Sequence, residues 1–207
     1  MSIQPSARVG VVGLGAGTLA CYAKAGQRWT MFEIDPAVVA IARRDFTYLS
    51  NCALDARMVV GDARLTLQAE APASLDLLAV DAFSSDSIPL HMMTREALGV
   101  YGRVLSRDGL LLIYITNRFL DLEPVVAALA ADGGWQVRVL RYQPGTADTP
   151  ALVSARSTWV ALSRDPARLA AFTAAGGAWR PLPPPTGAPV WRDDFASVLP
   201  VLRWRED

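Results

Sequence analysis

Glu33, Asp62 and Asp81 each stand at the carboxyl end of an apolar run, and an earlier run ends in Gly13-Leu14-Gly15-Ala16-Gly17. Ionised carboxylates only accept hydrogen bonds, so each suits a ligand group that donates. Glu33, twenty residues beyond Gly13, can take both hydroxyls of a ribose. Asp62 can accept from an adenine amino group, and Asp81, beside the glycine turn, faces whatever the nucleoside carries at its 5′ end. The glycines let a ligand approach the backbone where a Cβ would collide, and the first N–H groups of the following helix point outward as donors. Taken singly, each acid could equally cap a helix or sit in solvent. Three around one turn would repel a pyrophosphate, which favours a neutral or cationic 5′ substituent such as a sulfonium. The G-x-G-x-G spacing also departs from the G-x-G-x-x-G of dinucleotide sites.

Such a constellation needs strand ends gathered along one edge of a sheet. Periodicity supplies alternating strands and helices, the order of an α/β fold around a mainly parallel sheet. Strands are expected over 8–12, 29–34, 56–60, 75–80 and 110–115, with 135–142 and 158–163 closing the sheet as an antiparallel pair, seven strands in all. Helices are expected over 18–25, 36–49, 65–69, 94–105, 120–131 and 166–175, on both faces of that sheet. Asp35 before Pro36 is a suitable N-cap. Residues 1–164 form the ligand-binding core, and 165–207 a helix, a proline-rich segment and a docking tail of the same domain. In that tail Trp191, Phe195 and Trp204 are the docking face, and Asp193-Asp194 are expected to cap a short helix near Phe195.

Length and composition limit the alternatives. A chain of 207 residues with 52% hydrophobic content can bury one ordinary core. Twenty basic residues cancel twenty acidic ones, which removes the electrostatic footprint for nucleic acid or anionic lipid. Uninterrupted apolar runs such as 110–115 are far too short to span a bilayer, so no direct membrane insertion is expected. Cys21 falls on an expected helix and Cys52 just past the end of another, in a chain large enough to need no staple, which predicts free thiols and a cytoplasmic location. His91, the only histidine, either lines the pocket or packs in its loop, and no metal is expected because it lacks partners at ligand spacing.

Gly13-Leu14-Gly15-Ala16-Gly17, Phe32-Glu33-Ile34-Asp35-Pro36 and Gly61-Asp62-Ala63-Arg64 resemble the first three motifs of the class I AdoMet-dependent methyltransferase fold, a Rossmann-like architecture. More narrowly, the stretch from Val80-Asp81-Ala82-Phe83 through Asp86 and Pro89 to His91, with Asn117-Arg118-Phe119-Leu120-Asp121 and Trp191-Arg192-Asp193-Asp194-Phe195, is similar to spermidine synthase-like proteins. The resemblance spans about residues 8 to 200. It implies a donor site for AdoMet or decarboxylated AdoMet built from Gly13, Leu14, Gly15, Gly17, Glu33, Ile34, Asp62, Ala63 and Asp81. It also implies that Asp81 and Asp86 bind a small amine acceptor and help remove its proton.

Two departures bear on the reaction. Spermidine synthases usually carry an aspartate within the glycine turn that meets the donor's aminopropyl ammonium, and Ala16 stands there in this chain. Aminopropyl and methyl transfer therefore both stay open, as does a non-catalytic adenosyl-binding or interaction module. The family's β-rich segment ahead of the first strand has no counterpart in the few residues before Arg8. The expectations left by that are a more open site, closure by another chain, or a fragment of a larger protein. A second copy of the chain is a candidate partner.

Overall fold

The computed structural model describes residues 4–53, 55–82, 89–144, 156–184, 186–188 and 190–203. Apolar runs that alternate across the sheet form its centre. β1 (Arg8–Val12), β2 (Arg28–Glu33), β3 (Arg57–Val60), β4 (Leu75–Val80) and β5 (Leu105–Tyr114) run parallel. β6 (Gln136–Tyr142) and β7 (Ser157–Ser163) add an antiparallel pair, as expected from their patterning. An eighth strand, β8 (Arg180–Pro181), gives the order β3-β2-β1-β4-β5-β7-β6-β8. The eighth strand corrects the expected count of seven. It comes from the proline-rich segment, and proline's missing donor restricts it to two residues on the sheet edge.

Strand β4 shows why the sheet is covered on both sides. Leu78 and Val80 enter one buried cluster, while Leu77 and Ala79 enter the other. Alternate residues of a strand point to opposite faces, so a continuous apolar run must be buried twice. One face carries α3 (Ala63–Ala69), α4 (Arg95–Val104) and α5 (Glu123–Asp132); the other carries α1 (Pro36–Asp45), α2 (Tyr48–Cys52) and α6 (Pro166–Ala174). Asp35 caps α1 by accepting from the Ala37 N–H at 2.8 Å, as its place before Pro36 suggested.

Three local expectations change. The helix expected over 18–25 is only a 3-10 segment, Thr18–Tyr22, closed when the Ala23 N–H donates to the Ala20 carbonyl. The helix expected over 36–49 breaks at Phe46, whose backbone is extended, and restarts as α2. Cys21 and Cys52, expected as free thiols, form a disulfide that ties the 3-10 segment to α2, with Cα atoms 4.7 Å apart. The cysteines thus give no support to a reducing compartment. Among the described residues no helix is long and apolar enough to cross a membrane.

Candidate functional site

β1 lies between β2 and β4, so the strand order reverses beside it, and a crevice opens there beyond the carboxyl ends of the strands. A cavity of about 500 Å³ occupies this place, lined by Gly13, Leu14 and Gly15 from the glycine turn and by Glu33, Asp62 and Asp81 from the ends of β2, β3 and β4. Ile34 and Ala63 line it too. Among the described residues lining it there is no lysine or arginine.

The turn is built by contact on one side and open space on the other. Gly13 has φ +89°, and a Cβ there would stand 2.2 Å from the Asp81 carbonyl oxygen, so any side chain would push β1 and β4 apart. The Gly13 N–H donates to the Phe32 carbonyl and the Asp81 N–H to the Val12 carbonyl, which fixes all three strand ends together. Gly15, at φ +53°, faces no atom within 4 Å of its missing Cβ. Gly17 does not line the cavity; it packs behind the turn against Leu49 of α2.

Glu33 is buried, with 8% of its surface exposed, and holds the turn. Its Oε2 accepts from the Leu14 N–H at 2.9 Å, and its Oε1 from the Asp35 N–H at 3.0 Å. A carboxylate offers about four lone-pair sites, so each oxygen keeps one for a ligand hydroxyl. Asp62 caps α3, its Oδ1 accepting from the Leu65 N–H at 3.0 Å. The capping role weighed against ligand binding is thus real, but it uses only one oxygen. Asp81 follows Val80 directly, and burial pushes its carboxyl above the ordinary carboxylate range. Asp86, the other acid named for acceptor chemistry, lies outside the described residues.

Several neighbours escaped sequence reasoning. Val12, Phe32, Asp35, Val38, Ala82, Pro89 and Met92 complete the lining. His91 also lines it, with Nε2 3.3 Å from Asp62 Oδ2. Of the three aromatic residues expected to dock the tail, Trp191 is fully buried and accepts from the Arg95 N–H at 2.8 Å through its carbonyl, Phe195 is exposed, and Trp204 lies outside the described residues. Asp193 does not cap a helix at Phe195. Both its oxygens accept from the Arg64 guanidinium, and Oδ1 also accepts from the Thr94 hydroxyl at 2.8 Å. The Arg64 hydrogen bonds hold the Asp193 carboxyl below the ordinary range. No local pattern could reveal a pair 129 residues apart. Among the described residues no group of three His, Cys, Asp or Glu side chains is placed to hold a metal ion.

A glycine turn at the switch point of the sheet, with acids at three neighbouring strand ends, is the arrangement of a Rossmann-like, methyltransferase-type fold. Comparison with known proteins supports this. The chain is 31% identical over 125 residues to a polyamine aminopropyltransferase of Vibrio vulnificus (strain CMCP6), covering 56% of this chain and 40% of that protein. It thus spans less than half the length of this curated relative. Its fold is similar to that of a probable spermidine synthase from Corynebacterium glutamicum ATCC 13032, with TM-score 0.64, 22% identity, and 93% of this chain and 74% of that one covered. It is also similar to a precorrin-6y C5,15-methyltransferase from Geobacter metallireducens GS-15, with TM-score 0.58, 15% identity, and 79% and 82% covered. No family model matches the chain.

Proposed function

We propose that this chain binds an adenosyl sulfonium donor and transfers an alkyl group from it to a small amine, in the manner of a polyamine aminopropyltransferase. One observation carries the reading: Glu33, Asp62 and Asp81 line a single cavity against the glycine turn, with no lysine or arginine among its described lining residues. A pocket of that sign attracts cations and repels phosphates. It suits a sulfonium donor and an ammonium acceptor together.

In this reading Glu33 uses its two remaining lone pairs on the ribose hydroxyls, and Asp62 faces the nucleobase. Asp81 receives the acceptor. An alkylammonium titrates near 10, by analogy with lysine, so it must lose a proton before its nitrogen can attack. Burial raises the proton affinity of the Asp81 carboxylate, which narrows that gap and suits it to be the general base. The freed lone pair then forms the N–C bond as the C–S bond breaks. Its electron pair returns to sulfur, leaving a neutral thioether, and alignment in the pocket supplies the in-line geometry. Asp86 is proposed to share the acceptor with Asp81.

Ala16 supports a second reading, methyl transfer from intact AdoMet, because it brings no carboxylate to select an aminopropyl ammonium. Calorimetry with AdoMet, decarboxylated AdoMet and methylthioadenosine, followed by mass spectrometry of products with a panel of diamines, separates the cases. Tightest binding of decarboxylated AdoMet with a mass gain of one aminopropyl group supports the first; preference for AdoMet with a methyl gain supports the second. Donor binding without any product leaves a binding module. Glu33→Ala should weaken all three ligands about 100-fold, since it removes both ribose contacts and the acceptor that orders Leu14 and Asp35. Unchanged affinity would sink the pocket assignment.

A further inference from the structure

We infer that Asp193 is a positioning residue for the donor site: by holding Arg64 it couples docking of the C-terminal tail to ligand binding, which rests on the adenosyl reading of the pocket. The contacts start at the cavity. Asp62 and Ala63, where α3 begins, form one part of its wall, and Pro89, His91 and Met92 form another. Arg64 comes next in the chain and joins the two parts, because its Nη1 donates to the His91 carbonyl at 3.0 Å.

A long side chain gives up rotamer freedom to span such a gap, so a partner that fixes the guanidinium plane decides how well the bridge holds. Asp193 is that partner. The same Nη1 donates to its Oδ1 at 2.7 Å, and Nη2 donates to its Oδ2. The Arg64 side chain is 13% exposed and that of Asp193 44%, so the tail's side of the pair is the side open to water. Asp193 is not among the residues lining the cavity, and its effect on a ligand passes through Arg64.

The tail itself is seated on the start of α4. The first N–H groups of a helix lack partners within it, and the Arg95 N–H finds one in the Trp191 carbonyl. Thr94, the N-cap, accepts from the Ala97 N–H at 3.2 Å and donates its hydroxyl proton to Asp193 Oδ1. The Asp193 N–H donates to Glu96 at 3.0 Å. Docking of the tail thus presents the Asp193 carboxylate to Arg64 in one orientation. The next residue, Asp194, pairs with Arg192 beside it and is 69% exposed, which makes it a matched control in the same segment. Coupling of this kind is reciprocal: the factor by which a docked tail tightens ligand binding is the factor by which the ligand tightens docking.

The test joins calorimetry with methylthioadenosine to amide hydrogen exchange. Asp193→Asn should weaken binding about 5–10-fold, and Arg64→Met at least as much, since it removes both contacts. The double variant should bind within about twofold of Arg64→Met, because the two losses share one path. Asp194→Asn should stay within about twofold of the parent. Exchange on the parent needs no variant: saturating methylthioadenosine should slow the Arg95 and Asp193 amides by about the same 5–10-fold. In Asp193→Asn saturated with the same ligand, the Arg95 amide should show no such slowing. A tail that is only a structural seat would leave these amides indifferent to ligand. Asp193→Asn affinity within twofold of the parent, additive losses in the double variant, or amides unmoved by ligand in the parent overturn the inference while leaving the pocket in place. Absence of methylthioadenosine binding to the parent overturns the pocket reading, and this inference with it.

Discussion

Asp76 and Asp81 bracket the same strand, β4, and live under opposite conditions. Asp76, at the lower end of the sheet, accepts from the Arg8 guanidinium through both oxygens, at 3.0 and 2.7 Å, and from the Arg8 N–H at 2.8 Å. That hydrogen bonding pulls its carboxyl below the ordinary carboxylate range. Asp81, at the upper end, is raised by burial. One aspartate has its cation built in and holds β1 to β4. The other is half-buried beside a cavity with no lysine or arginine among its described lining residues, a state that costs stability and that a cationic ligand would relieve. An acid of the first kind belongs to the fold, and one of the second kind is a candidate for a site.

Exchanging each acid for its amide tests the contrast. Asp81→Asn should lower the rate of alkyl transfer about 10²–10⁴-fold, the range for a lost general base, with thermal stability at or above the parent's. Next in size is the disulfide behind the glycine turn. Reduction, or Cys21→Ser with Cys52→Ser, should cost about 3–4 kcal/mol in urea unfolding from the loop entropy of a closure across 31 residues. If the upper end owes its form to that bond, methylthioadenosine affinity should fall with it. Asp76→Asn should cost only about 1 kcal/mol, because the Arg8 and Asp76 side chains are 37% and 30% exposed and water screens the pair. Its ligand affinity should stay within about twofold of the parent's, since the pair lies at the far end of the sheet. The smallest effect is in pH dependence. The Asp76 contribution is present above 3.8 and is lost as pH falls through its lowered folded value, so the parent and Asp76→Asn should converge in acid. Asp81 has the other sign: its share is present below 3.8 and lost as pH rises through its raised folded value. Thermal melts of the parent and Asp81→Asn should therefore draw apart toward neutral pH, the amide being the more stable.

What was legible in the sequence followed from local rules. Glu33, Asp62 and Asp81 could be found because apolar runs show where strands stop, and the ends of neighbouring parallel strands share one edge. Asp35 was legible as a cap because Pro36 follows it. Partners across the fold were not legible. Nothing near Asp76 announces Arg8, 68 residues away, and nothing near Asp193 announces Arg64. The cysteines misled for the same reason: their pairing depends on the shortened 3-10 segment meeting α2, which helix periodicity does not encode. His91 was in view as a pocket residue, but its 3.3 Å approach to Asp62 Oδ2 depends on the turn that Arg64 of α3 holds by the His91 carbonyl.

The Cys21–Cys52 bond also turns part of the chain into a ring, and Glu33 lies inside it. Were the molecule stretched by its two ends, tension would pass through the sulfurs and bypass the enclosed segment. At about 3.5 Å per extended residue, the 31-residue separation would withhold roughly 100 Å of contour length until a reductant opened it. Force spectroscopy with and without dithiothreitol would read that step directly, and with it the tether that keeps the candidate ribose acid near the glycine turn while the rest of the sheet comes apart.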